Sequence, residues 1–332
     1  MSNSVNTGAR ARFQALSLEA PVSEAEFLRR EIGLDIHVVS ESDLAHRVRE
    51  SEPVIVVVSE PDGYGEVFQA APNASIVAFL ISDEGYSSER LALVRDSPSI
   101  RAVFRQYGTE RASFGDMARS AWQFIRSTRS SRVSARTLPG LVETGWQTRR
   151  RMGDWGRLPC PVYSVPLGYT SEFAKSAIEY FHLHVSQTQS LLEPMLVTNH
   201  QRDTEIVFRG ALGTAHRQAL VESTERQRGS HISLVSRDWA VSTTKNESRA
   251  YVEALSRTRC ALCPPGSINT ETFRFYEAIV CGARPVEPRT ALTHLGRPVC
   301  RNGNPREEVL RALQQVREQL GSSLEDSQRG RG

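Results

Sequence analysis

Residues 53–58 read Pro53-Val54-Ile55-Val56-Val57-Val58, a continuous β-branched run. An unbroken apolar run of this length, with no polar alternation, is the pattern of a strand buried on both faces, as in a parallel sheet. Ser75-Ile76-Val77-Ala78-Phe79-Leu80-Ile81 is a second such run, and Ala102-Val103-Phe104 begins a third, shorter one. Helices are expected over 87–94 and 112–125. The second of these carries Phe114, Met117, Ala118, Ala121, Trp122 and Ile125 near three-four spacing. Pro161-Val162-Tyr163-Ser164-Val165-Pro166 reads as a further strand leading to Leu167-Gly168-Tyr169, where a domain boundary is placed.

Beyond the boundary, helical sequence is expected from Ser171 to about Leu192, and a second alternating series begins. Strands are expected at 205–208, 231–235, 260–263 and 284–286, with helices over 214–225, 246–256, 270–281 and 306–320. The last helix sets Val309, Leu310, Leu313, Val316 and Leu320 on one stripe. The tail from Gly321 is polar and reads as frayed. Two rounds of strand-helix alternation define an α/β protein with two parallel sheets, each covered by helices. The expected domains are 1–168 and 169–332. Such sheets take ligands at the carboxyl ends of their strands, and two of them face to face make a cleft.

The chain has 332 residues and a mass of 37.0 kDa, enough for two ordinary domains. Hydrophobic residues make up 39% and charged residues 24%, as in a folded rather than a disordered chain. No stretch approaches the roughly 18 apolar residues that span a bilayer, and the first twenty lack the apolar core of a secretory signal. The expectation is a cytoplasmic protein with no transmembrane segment. A net charge of +3 does not by itself require nucleic acid, and none is expected as a partner. Of 41 basic residues only Lys175 and Lys245 are lysines. Neither lies in GxxxxGK[ST], which excludes a P-loop, and neither has a kinase context. An anion held by a side chain here is held by arginine, whose planar fork suits phosphate.

Five scattered cysteines do not form a disulfide framework, and the single pair Cys260 and Cys263 lacks the second pair a zinc site needs. Neither HExxH nor GxSxG occurs. The stretch 127–136 is rich in serine and arginine. Residues 145–157 hold Trp146, Trp155, Arg149, Arg150, Arg151 and Arg157. The latter reads as a solvated loop over the cleft, with an acidic acceptor or an anionic membrane surface as alternative partners.

The most informative stretch is Leu262-Cys263-Pro264-Pro265-Gly266-Ser267-Ile268-Asn269-Thr270-Glu271-Thr272-Phe273-Arg274-Phe275-Tyr276-Glu277-Ala278. It leaves a strand, turns at Pro264-Pro265-Gly266 and enters a helix through small polar residues suited to N-caps. A helix start offers free N–H groups and partial positive charge, so it can hold a phosphate, and Gly266 permits close approach. Arg274 and Glu277, three apart, share a helix face. Arg274 could pair with a ligand phosphate and Glu277 could accept from ribose hydroxyls. Spacing alone allows equally well a capped helix with an internal Arg–Glu ion pair.

The wording LCPPGSINTETFRFYEAIVCGARPVEP resembles the C-terminal signature of exostosin-like (GT47-type) glycosyltransferases, and NTETFRFYEA is most similar to the ribitol xylosyltransferase branch. Val165-Pro166-Leu167-Gly168-Tyr169 resembles that family's inter-domain strand. Ile206 to Leu212 with Arg217 resembles its F-x-G-x…R element. Residues 80–84 and 103–107 are similar to N-domain elements of bacterial relatives. The resemblance implies a GT-B fold: two Rossmann-like domains with an inter-domain cleft. It implies an inverting hexosyl- or pentosyltransferase that uses a nucleotide-sugar, a UDP-sugar and by wording UDP-xylose, without a metal or other cofactor. The acceptor would be a hydroxyl of a glycan, a polyol-phosphate or a small molecule, in polysaccharide biosynthesis or decoration.

Carried over by position, Glu277 is the ribose-binding carboxylate. Arg209, Arg217 and Arg274 lie near the diphosphate, and Gly266, Ser267, Asn269 and Thr270 form the phosphate-facing loop. An inverting transfer also needs a base. Asp83 and Glu84, at the end of a predicted strand, are the candidates, with ordinary turn carboxylates as the other reading. Arg105 would steer an acidic acceptor or neutralise that pair. Two alternatives stand beside this. One is a dinucleotide-dependent oxidoreductase built on Gly63-Tyr64-Gly65, although Phe68 occupies the place of its third glycine. The other is a non-catalytic relative that keeps the nucleotide site.

Overall fold

The computed structural model describes residues 13–19, 24–50, 53–81, 87–106, 153–183, 189–193, 202–210, 230–234, 245–264, 272–286 and 304–329. The first sheet comprises β1 (Phe13–Ser17), β2 (Leu34–Val38), β3 (Val54–Val58), β4 (Ile76–Leu80), β5 (Ile100–Gln106) and β6 (Val162–Val165). Helix α1 (Ala25–Phe27) continues into a π-helical turn, Leu28–Ile32, and α2 (Glu41–Arg49), α3 (Tyr64–Gln69) and α4 (Ser88–Arg95) follow in order. The strands lie in the order β2-β1-β3-β4-β5-β6, and every pairing is parallel.

The continuous apolar runs owe their character to two cores, one on each face. Ile55, Val57, Val77 and Phe79 point into one, while Val56, Val58, Ala78 and Leu80 point into the other. The alternating side chains of a strand leave no face for polar residues in such a place. Phe79 and Phe104 stack across the sheet with centroids 4.7 Å apart.

The second series comprises α5 (Ser171–Tyr180), β7 (Thr204–Gly210), β8 (Ser230–Leu234), α6 (Lys245–Ser256), β9 (Thr258–Leu262), α7 (Phe273–Val280), β10 (Arg284–Val286) and α8 (Pro305–Arg329). Its sheet runs β10-β9-β7-β8, again wholly parallel. Read from the other edge, β8-β7-β9-β10 repeats the order β2-β1-β3-β4 of the first sheet. In each, the chain steps to one side of its first strand and then crosses to the other. The crossing leaves a crevice at the carboxyl ends, between β1 and β3 and between β7 and β9.

Four expectations are corrected here. Strands β1 and β2 and the helices around them escaped the sequence reading, because each strand mixes polar with apolar residues and β2 is an edge strand with an exposed Val38. Strand β5 runs to seven residues, not a short fragment. Helix α5 ends at Tyr180 instead of near Leu192, with His182 at φ 49° just past its end. The Leu191 N–H then donates to Glu31 Oε1 (2.8 Å), a bond a continued helix would forbid. Finally, α8 continues well past Gly321. Ser323 and Ser327 are buried there and donate back to Gln319 O and Ser323 O, a local pattern that absorbs their hydroxyls within the helix. The helices expected over 112–125 and 214–225 lie outside the described residues.

The segment after β6 is pinned from both sides. Gln106 Nε2 donates to Leu167 O (3.0 Å), and the Tyr169 hydroxyl donates to buried Glu31 (2.8 Å). Between them Gly168 adopts φ +78°, and a Cβ there would fall 2.2 Å from the Phe27 ring. Only glycine satisfies both conditions. Phe27 packs edge-on against Tyr169 and lies 6.0 Å from Tyr276 of α7, which brings the two sheets into one core. Helix α8 returns to pack on β5, β6 and the π-helical turn, where Arg317 donates to Glu31 O. Its buried Val309, Leu313, Val316 and Leu320 contribute about 1.5–3 kcal/mol each through burial. Among the described residues no helix is long and apolar enough to cross a membrane.

Candidate functional site

The crevice of the second sheet is lined by charge. Strand β7 ends in Phe208-Arg209-Gly210. The Arg274 guanidinium, from the first turn of α7, lies across this end. Its Nε donates to Arg209 O, and its carbon stands 5.5 Å from the centroid of the Phe208 ring. Gly210 leaves room for it, since a Cβ on Gly210 would meet Arg274 Nη2 at 2.3 Å. An arginine in a first helical turn opposes the helix dipole, and no carboxylate accompanies it in that turn. The carboxylate nearest to it on the helix is Glu277, one turn further on. Thr272 is the N-cap, and among the described residues its buried Oγ1 has no hydrogen-bond partner.

Arg209 places its guanidinium carbon 5.6 Å from the Tyr251 ring centroid and donates to Glu247 O (2.5 Å), both on α6. Glu277, one turn after Arg274, is buried. It accepts from Thr170 Oγ1 at 3.3 Å, and from the Thr170 N–H and the Tyr251 hydroxyl. Burial pushes its carboxyl above the ordinary glutamate value, while Arg274, Thr170 and Tyr251 pull it back. Burial, with Glu277 alongside, holds the Tyr251 phenol well above its ordinary value. Cys281, one turn further along α7, is likewise raised well above a normal thiol by burial and then by Glu277.

Three of the residues singled out from the sequence, Arg209, Arg274 and Glu277, thus converge at one crevice. Arg217, Gly266, Ser267, Asn269 and Thr270 lie outside the described residues, as do Asp83 and Glu84. Arg105 ends β5 fully buried, with its guanidinium 4.9 Å from the centroid of the Trp155 ring. Trp155 itself is a core residue, although the sequence placed it in a solvated loop. Cys260 and Cys263 stand three apart on extended chain, so Cys260 is partly exposed while Cys263 is buried. Among the described residues no cluster of metal-ligating side chains occurs. Two participants escaped the sequence reading, Tyr251 and Thr170. Thr170 bears a visible N-cap signature before Ser171-Glu172-Phe173, and its Oγ1 does accept from Phe173 N (3.3 Å). Its reach to Glu277 has no local signal.

The crevice of the first sheet is filled. Tyr64 opens α3 behind Gly63, and its hydroxyl accepts from Leu18 N (2.8 Å) and donates to Val57 O (2.9 Å). Ser17 Oγ lies 3.3 Å from the same hydroxyl. Ser59 Oγ donates to Glu19 (2.9 Å), tying the ends of β3 and β1 together. The Tyr64 hydroxyl is spent on the backbone at the ends of β1 and β3, so the Gly63-Tyr64-Gly65 turn serves packing and gives the oxidoreductase reading no support.

Two parallel sheets of matching order, one with an arginine-lined crevice, define an α/β protein of the class that takes ligands at strand carboxyl ends. Residues 189–318 match the family model of the RXYLT1 C-terminal domain, the branch whose wording the chain resembles. That span contains all four strands of the second sheet together with Arg209, Arg274 and Glu277, and it points to a glycosyltransferase family. No curated protein matches the chain.

Proposed function

We propose that the chain is an inverting glycosyltransferase of GT-B architecture that binds a nucleotide-sugar at the β7–β9 crevice. The reading rests chiefly on Arg274, laid across the end of β7 beside Arg209 with the carboxylate of Glu277 one turn away. In this reading the two arginines and the start of α7 face the diphosphate, and Glu277 accepts from the ribose hydroxyls. As the sugar transfers, the departing nucleoside diphosphate gains negative charge. Fixed guanidinium groups and helix N–H groups stabilise that charge without reorganising. This supplies a role that a divalent cation fills in other enzymes, and the reading therefore takes no metal. A UDP-sugar, with xylose as the sugar, is the donor suggested by the family match. Asp83 or Glu84 supplies the base for an acceptor hydroxyl, which belongs to a glycan, a polyol-phosphate or a small molecule.

Calorimetric titration with UDP, GDP, CMP, ADP and NAD, each with and without EDTA, tests the reading. Selective binding of UDP that EDTA leaves unchanged supports it. Preference for NAD, or binding that EDTA abolishes, counts against it.

A further inference from the structure

Glu277 does not stand free in the crevice. It is held by three donors from two places: the Tyr251 hydroxyl on α6, and both the hydroxyl and the N–H of Thr170. Thr170 belongs to the connecting segment. The three residues before it are fastened to the first sheet's side: Leu167 by Gln106, Gly168 by its contact with Phe27, and Tyr169 by Glu31. Thr170 is the first residue of that segment to engage the second sheet's machinery. The chain changes allegiance between Tyr169 and Thr170, and it does so on the carboxylate that the nucleotide reading assigns to ribose.

We propose that Thr170 is a positioning residue for Glu277, so that the nucleotide site is completed by the segment joining the two sheets. This rests on the reading of the crevice as a nucleotide-sugar site. A buried carboxylate has several acceptor directions, and donors that occupy some of them leave the others aimed. Thr170 and Tyr251 occupy part of the carboxylate, and in the proposal its remaining lone pairs are those offered to a ribose diol. Thr170 also favours the charged form of the group. Its two donors and the Arg274 charge oppose the burial that raises Glu277. The other titratable or charged groups around it are Cys281 on the same helix, Tyr251 on α6 with Arg209 over its ring, and Cys263 past the end of β9. Removing the Thr170 hydroxyl takes away a donor to the charged form. Glu277 then protonates earlier as pH falls, so the acid-side loss of binding that needs the carboxylate sets in at a higher pH.

The test uses the full chain with UDP as the probe, and the variants Thr170→Val, Thr170→Ser, Glu277→Gln and the double Thr170→Val/Glu277→Gln. Thr170→Val is expected to weaken UDP about tenfold, the scale of a hydrogen bond to a charged group. Its acidic limb of binding moves to higher pH, and Thr170→Ser restores both. The double variant binds no worse than Glu277→Gln alone. Wild-type affinity and an unmoved acidic limb in Thr170→Val, with Glu277→Gln impaired, would overturn the proposal. So would a Thr170→Ser variant as weak as Thr170→Val. A wild-type chain that takes up no UDP refutes the nucleotide reading instead, and thermal melts then judge the contact by itself. Because Thr170 Oγ1 also caps α5, a loss in the double variant smaller than the sum of the two single losses keeps Thr170 as the holder of Glu277, while fully additive losses overturn it.

Discussion

At the crevice between β1 and β3 a tyrosine hydroxyl joins the backbone of both strands, and a serine–glutamate bond closes the rim. At the crevice between β7 and β9, reached by the same order of strands, two arginines and a buried carboxylate stand instead. The topology opens a crevice in both sheets; it does not choose what enters. In the first sheet the exposed strand ends are satisfied internally, which removes the donors a ligand would use. In the second, two arginines and a buried carboxylate are gathered where a helix also begins. The difference teaches that strand order locates a candidate site and that side chains decide whether it is open.

The comparison breaks most sharply at Arg274. Arg274→Ala should cost on the order of 10²–10³-fold in transfer, as loss of a group that stabilises developing charge does, with the melting temperature little changed. Steady-state kinetics with a UDP-sugar reads the first and calorimetry the second. A variant that turns over normally would place the chemistry elsewhere.

Tyr64→Phe should do the opposite. It strands the Leu18 N–H, a part-buried donor, and should lower stability by about 1–3 kcal/mol in urea unfolding while UDP affinity stays put. Weakened nucleotide binding in that variant would show that the first crevice also serves the ligand.

Gly210→Ala gives the smallest effect and sharpens the contrast. The added methyl meets the Arg274 guanidinium first, the far end of a flexible side chain that can shift at little cost to the fold. UDP affinity should fall about tenfold, or about 1.4 kcal/mol, with near-native melting. Loss of folding without loss of affinity would mean that Gly210 is kept for the strand and not for the arginine.

Several elements could be read from the chain alone because their signal is local. The run at 53–58 needs only neighbouring residues to declare a strand buried on both faces, and α8 declares its stripe through Val309, Leu313, Val316 and Leu320. Strands β1 and β2 could not be read this way. Their five-residue spans mix polar with apolar residues, and pairing of β1 with β3, far along the chain, and of β2 with β1 is what makes them strands. The tail past Gly321 misled for a related reason. Two of its serines, Ser323 and Ser327, look solvated in sequence and are buried in space. At the site, Arg209, Arg274 and Glu277 were visible because a motif carries them. Tyr251 and Thr170 were not, since each meets Glu277 only through folding.

The sequence by itself determined the α/β class, the two rounds of alternation and the helix bearing Arg274 and Glu277. These depend on periodicity, caps and residue type within a few turns of chain. Tertiary structure alone decided which of two equivalent crevices is plugged, that Arg105 lies beneath Trp155, and that Glu277 is held by the segment joining the sheets. Each depends on contacts between residues tens of positions apart, and the partners in such contacts are set by packing and the satisfaction of buried polar groups, not by any local pattern.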